Sequence, residues 1–194
     1  MTDLKQETFN ESFDDTDLIS PHEPHLACVL LLDISGEMDI NPLKVVNDFK
    51  QRIQEIREAV FILESTQIDI AIIVFNNSCV QVVQDFISLS DFQRTEIMLT
   101  VSGVSSDIAI NAGINFAIDK VKKRARLYYS MGTPFTSWIF MISDRATTAG
   151  LSARQRIEEN KKRLKFWAIK VSELVKLVSK ILEWICLQDD IAPN

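Results

Sequence analysis

The run Leu26–Met38, LACVLLLDISGEM, is apolar from its start and breaks off on Asp33, Ser35 and Glu37. A continuous apolar run bounded by polar residues reads as a central strand buried on both faces, since a strand with one wet face would alternate. In open α/β sheets the residues that end such a strand sit at its carboxyl end, where ligands bind. This one segment therefore predicts a fold class and the position of a site.

The remaining segments extend the pattern. Asn41-Pro42 has the form of an N-cap followed by proline at the first helical position. Val46, Phe49, Ile53, Ile56 and Val60 then recur at spacings of three and four, the stripe of a helix laid on a sheet. Gln67–Phe75 is a second apolar strand, and the turn cluster Asn76-Asn77-Ser78 leads directly to a third, Val80–Leu89. So short a connection requires an antiparallel pair. Ser90 and Asp91 are placed to cap a short helix running to about Leu99, and a loop, Val101–Ser106, precedes a helix expected over Asp107–Lys123. Ser137–Ser143 is the next buried strand, and like the first it runs into a carboxylate, Asp144. A helix capped by Ser152 and reaching about Arg163, a strand Lys165–Val171 and an amphipathic helix Glu173–Leu187 complete the order. Strands alternating with helices predict an α/β fold: an open, mostly parallel, Rossmann-like sheet with one antiparallel strand and helices on both faces.

Charge divides the chain unevenly. Residues 1–25 hold seven acids against the single base Lys5, a balance of −6 that equals the net charge of all 194 residues. Too little apolar surface is present there to offset ordering entropy, so residues 1–25 are expected to be a flexible acidic leader, with Phe9, Phe13, Leu18 and Ile19 able to dock it, and residues 26–194 the folded domain. The neutral body offers no field for nucleic acid, and no apolar run approaches the ~20 residues that cross a bilayer. Cys28, Cys79 and Cys186 lack metal or redox spacing and read as reduced thiols, which places the expected compartment in the cytoplasm. The basic run Lys120, Lys122, Lys123, Arg124 and Arg126 reads as a solvated helix end, and Tyr128, Tyr129, Met131, Pro134 and Phe135 as an apolar loop with local packing. Trp138, Trp167 and Trp184 are expected in the core, and His22 and His25 in the leader, where two ligands alone cannot close a metal site.

Familiar α/β sites fail on their physical requirements. Phosphate cradles need glycine where the backbone approaches the anion, but the five glycines form neither G-x-G-x-x-G nor G-K-[ST]. A phosphotransferase with a carboxylate nucleophile would want a second carboxylate two residues after Asp33, where Ser35 stands. A serine hydrolase needs an activating histidine, and both histidines precede the first strand at its opposite end. The residues left are oxygen ligands at adjacent strand ends: Asp33, Ser35, Glu37, Ser105 or Ser106, and Asp144. Such a set suits Mg²⁺.

The succession DISGEM, then SSDIAINAGI entering a helix, then IFMISD, resembles the von Willebrand factor type A domain with its metal-ion-dependent adhesion site. The resemblance spans most of residues 26–187, and its flavour is similar to small cytosolic bacterial members associated with tellurite and stress-response clusters. It implies metal ligands at Asp33, Ser35, Ser106 (for the family's threonine) and Asp144, and a non-enzymatic module that binds a partner protein. Glu37 departs from the family's serine, and Arg145 stands where glycine is common. Glu37 could fill the coordination position that members leave open for a partner's carboxylate, or it could pair with Arg145 in place of the ion; a Mg²⁺ site and a metal-free site are both open. About one helix–strand unit of the family also has no counterpart after the fifth strand. That would leave the strand as an edge unless the last helix, the leader or another subunit covers it. The expected function is partner-protein binding at the carboxyl-end site. The alternatives are a Mg²⁺-dependent hydrolase or phosphoryl-transfer enzyme, and a metal-free scaffold that self-associates through a sheet edge as a homo-oligomer.

Overall fold

The computed structural model describes residues 23–34, 41–60, 63, 65–76, 79–97, 107–143 and 150–189. Five strands, β1 (His25–Asp33), β2 (Gln67–Phe75), β3 (Val80–Ser88), β4 (Phe135–Ile142) and β5 (Leu164–Ile169), form one sheet in the order β3-β2-β1-β4-β5. β1 pairs in parallel with β2 and β4, and β4 with β5, whereas β2 and β3 are antiparallel as their short connection demands. All nine residues of β1 are buried. This is the α/β architecture expected from its unbroken apolar run.

Alternation along β1 sends side chains into two cores. Leu26, Cys28, Leu30 and Leu32 meet helix α1 (Pro42–Ala59) through Val46, Phe49, Ile53 and Ile56. The same layer takes the short α2 (Leu89–Arg94), a 3-10 helix (Val171–Lys176) and α5 (Leu177–Asp189). Ala27, Val29 and Leu31 point to the other face, covered by α3 (Asp107–Ser130) and α4 (Leu151–Asn160). The three tryptophans lie in the first layer, with Trp138 buried and Trp167 and Trp184 half-buried. The Asn41 side chain accepts from the Leu43 N–H at 2.9 Å, the cap expected from Asn41-Pro42.

Several boundaries differ from those read in the sequence. α2 is capped by Ser88, whose Oγ accepts from the Asp91 N–H at 3.1 Å, not by Ser90, and it ends at Arg94. α4 starts after Gly150 with no side-chain cap, so Ser152 lies inside the helix. The segment Glu173–Leu187 is divided between the 3-10 helix and α5. α3 continues through Ser130, well beyond Lys123, and stops at Gly132, whose φ of 69° suits a residue without Cβ. Tyr128 and Tyr129 are therefore helical and Phe135 opens β4, so that only Met131 and Pro134 of the expected apolar loop lie in the connection.

The longer helix carries a second correction. Arg124 is 4% exposed, so it is not part of a solvated helix end. It reaches the amino end of the sheet, where Asp69 of β2, His25 of β1 and Tyr128 are also buried. Arg124 Nη2 donates to Asp69 Oδ2 at 3.1 Å and Nε donates to the Tyr128 hydroxyl at 3.1 Å. The Tyr128 hydroxyl donates to the same Asp69 oxygen, and His25 Nδ1 lies 3.3 Å from it. Burial works against the Arg124 cation, yet Tyr128 and Asp69 outweigh it and its pKa is raised. His25 belongs to β1, one residue inside the boundary drawn for the leader.

Two buried acids couple folding to alkaline pH. Burial pushes the Cys28 thiol above its ordinary 9.0, and burial followed by the Asp69 charge pushes the Tyr128 phenol above its ordinary 10.0. Both are protonated in the fold, so above these ordinary values the unfolded chain binds fewer protons and stability falls as pH rises. Chemical denaturation between pH 8 and 11 should show a loss that begins near pH 9. In Cys28→Val the decline should begin about one unit later. An unchanged onset in that variant would show that Cys28 does not couple.

Candidate functional site at the carboxyl ends of the first and fourth strands

β1 connects to α1 on one face of the sheet, while its parallel neighbour β4 connects to α4 on the other. Connections that diverge in this way leave a crevice beyond the strand ends, the topological switch point at which open α/β sheets bind ligands. Asp33 closes β1 at that point. Leu32 is the register partner of Ile142, so Asp33 is level with Ser143, immediately past the end of β4. Both side chains are 1% exposed, and Ser143 Oγ donates to Asp33 Oδ2 at 2.8 Å.

The strand ends are held on both sides. The Ile34 N–H donates to the Phe75 carbonyl at 2.9 Å and the Ser143 N–H to the Ile169 carbonyl at 3.1 Å, which extends the backbone ladder one residue beyond β1 and β4. α3 comes close to this edge because Gly113 has no side chain; a Cβ there would stand 3.0 Å from the Phe75 ring. Asn111, on the same helix, accepts from the Gly150 N–H at 2.8 Å and so anchors the start of α4. A Cβ on Gly150 would fall 2.5 Å from the Asn111 amide nitrogen, so a side chain there would have to displace that amide.

Of the residues read as site candidates, Asp33 is placed at the strand end expected for it. Ser35, Glu37, Ser106 and Asp144, with Ser105 and Arg145, lie outside the described residues. Ser143 and Asn111 are the residues that sequence reasoning missed. A signal for Ser143 was present, since it is a polar residue between an apolar strand and the carboxylate of IFMISD. Asn111 gave none, because its role depends on a partner 39 positions away. Among the described residues no three His, Cys, Asp or Glu side chains gather as a metal-binding group. By its chemistry alone, the oxygen-bearing set expected from the sequence, of which only Asp33 is described, would suit a hard divalent cation. Cys28 and Cys79 are free thiols, and no described helix is long and apolar enough to cross a membrane.

Fold and site define an open α/β domain with a buried carboxylate at its switch point. No protein-family model matches the chain, and no curated protein matches it. Solved structures similar to it include the PilB minor pilin from Streptococcus sanguinis, at a TM-score of 0.50 and 12% identity over 84% of this chain and 61% of that one. They also include proximal thread matrix protein 1 from the mussel byssus, at 0.42 and 12% over 84% and 46%, and the SpRpn10 VWA domain, at 0.35 and 14% over 77% and 93%. The chain thus spans less than two thirds of the pilin and less than half of the byssus protein. At 12% identity the likeness to the pilin is one of fold.

Proposed function

We propose that this chain is a non-enzymatic protein-interaction module of the von Willebrand A class, and that it binds a partner protein at the carboxyl-end crevice around Asp33. The observation that carries the reading is the buried Asp33–Ser143 pair at the switch point between β1 and β4. In this reading Ser35, Glu37, Ser106 and Asp144 would join Asp33 in the site, with Glu37–Asn41, Ser102–Asp107 and Arg145–Gly150 as its rim. Supporting a binding role over hydrolysis, the one described histidine, His25, opens β1 at the opposite end of the strand from Asp33. In this reading Arg145 neutralises Glu37 and Asp144, and the site works by charge pairing with a polar partner residue rather than through Mg²⁺.

Calorimetric titration and thermal melts with Mg²⁺ and Mn²⁺ test the site. The wild type should neither bind these ions nor gain stability from them. Glu37→Ser combined with Arg145→Gly should create Mg²⁺ binding, worth about 2.7 kcal/mol at a hundredfold excess over the Kd. In a domain of this size that is a rise of about 5–11 °C in melting temperature. A Mg²⁺-dependent rise in the wild type that Asp33→Ala abolishes would replace the charge-paired site with a metal site. For the partner, proteins retained by the immobilised chain should be lost on Glu37→Arg, and retention that ignores this change would move the interface elsewhere.

A second reading is self-association, favoured by β5. Among the described residues only β4 pairs with it, and Ala168 on it is exposed. α5 packs over the face of this strand, with Trp184 edge-on to Trp167 at 5.9 Å, which covers the face but not the edge. Sedimentation showing a dimer that Ala168→Lys dissociates would favour this reading.

A further inference from the structure

We infer that the acidic leader docks onto a basic, aromatic groove at the amino end of the same domain. The groove consists of two adjoining hollows of about 370 and 420 Å³ between the end of α3, the start of β4 and the turn before β5. They share Tyr129, Phe135 and Arg163. Tyr129 is 73% exposed, whereas its neighbour Tyr128 is fully buried. The Arg163 guanidinium stacks 5.2 Å from the centre of the Phe135 ring. Lys122 and Arg126 line the first hollow, and no acid among the described residues lines either one. Lys120, Arg124, Arg156 and Lys161 each have a carboxylate partner, whereas no carboxylate among the described residues pairs with Lys122, Arg126 or Arg163. Thr133, in the wall of the second hollow, is 3% exposed, and its Oγ1 has no hydrogen-bond partner among the described residues. A buried hydroxyl in that state is costly until something joins it.

The groove therefore calls for a chain that combines carboxylates with apolar side chains and offers backbone groups to Thr133. Residues 9–19 of this protein, FNESFDDTDLI, have that composition, with Glu11, Asp14, Asp15 and Asp17 set among Phe9, Phe13, Leu18 and Ile19. The leader also starts within reach, although Pro24 and Glu23 accept hydrogen bonds from Gln67 of β2, across β1 from β4. His25 is the register partner of Phe135, and its N–H donates to the Pro134 carbonyl at 2.8 Å, so the leader joins the sheet one strand spacing, about 4.8 Å, from the groove wall. A dozen extended residues reach about 40 Å, ample to bring Phe13 back over Tyr129. The short tether gives the leader a high local concentration, so moderate contacts suffice. The groove lies at the amino end of the sheet, opposite Asp33, and this inference stands whether or not the proposed partner site is correct.

The full-length chain tests it. Chymotrypsin should cut after Phe9 and Phe13 about tenfold more slowly in the wild type at low salt than in Arg126→Glu/Arg163→Glu, with the protection lost at ~1 M salt, where charges are screened beyond about 3 Å. Both arginines are exposed, so the melting temperature of the double variant reports directly on whether its fold is intact. Adding Asp14→Lys and Asp15→Lys to the groove variant should restore protection by swapping the charges. Carbodiimide coupling of the wild type should join leader acids to Lys122 within one chain. Equal cleavage of wild type and groove variant, failure of the charge swap, or coupling to lysines away from the groove would overturn the inference. Protection that grows with protein concentration would overturn it in favour of docking onto a second copy.

Discussion

Replacing Asp69 with alanine is expected to lower stability by about 3–5 kcal/mol, because it leaves the Arg124 cation buried without its carboxylate. For a chain of this length that is a fall of about 6–20 °C in melting temperature. The expectation follows from three groups converging on Asp69 Oδ2: Arg124 Nη2 at 3.1 Å, His25 Nδ1 at 3.3 Å and the Tyr128 hydroxyl. The Tyr128 ring also lies against His25, with centroids 4.7 Å apart. Thermal melts of Asp69→Ala, Arg124→Met and the double variant Asp69→Leu/Arg124→Met separate the terms. The double variant should recover much of the loss, since removing both charges removes the desolvation penalty with the attraction. If Asp69→Ala melts within about 2 °C of the wild type, the network contributes nothing of consequence.

A loss of similar size, about 3–5 kcal/mol, is expected for Phe140→Ala, through a cavity rather than a charge. Phe140 is fully buried on β4 and lies at the centre of an aromatic cluster. It stacks on Trp167 with centroids 4.8 Å apart and planes 15° from parallel, and meets Phe49 of α1 at 5.4 Å and Trp138 at 5.9 Å. Trp167 passes the contact to Trp184 of α5. The cavity should therefore loosen α5 and β5 before the rest of the sheet. Urea titration gives the energy, and hydrogen exchange should quicken first in α5. Exchange that rises uniformly would mean that the cluster does not tie the last helix to the sheet.

The two residues differ in how visible they were. Phe140 sits in an apolar run that already read as a buried strand, and its core position followed from hydrophobicity. Asp69 sits in an equally apolar run, QIDIAIIVF, where a lone carboxylate was itself a signal, because a buried charge needs a partner. Sequence distance concealed the partners, which lie 44, 55 and 59 residues away. The inward turn of Arg124 is hidden in the sequence because its neighbours are basic and the helix runs nearly two turns beyond the Lys123 end expected for it. Gly132 followed by Pro134 marked the true end, the common pairing of a left-handed cap with a proline just beyond it.

What the sequence determined alone was whatever rests on local periodicity: five strands, the helices between them, one antiparallel pair, and a carboxylate ending the most buried strand. These follow because an apolar period is a property of neighbouring residues. Tertiary structure decided which strands adjoin, and so made β1 and β4 partners whose connections diverge and set Ser143 against Asp33. It also decided that α3 could lie close enough to the sheet for Gly113 to touch Phe75, and that Arg124 would turn inward to Asp69. Such contacts join residues whose separation along the chain carries no repeating pattern, and only the packing of layers, with its demand that every buried charge and hydroxyl find a partner, selects them.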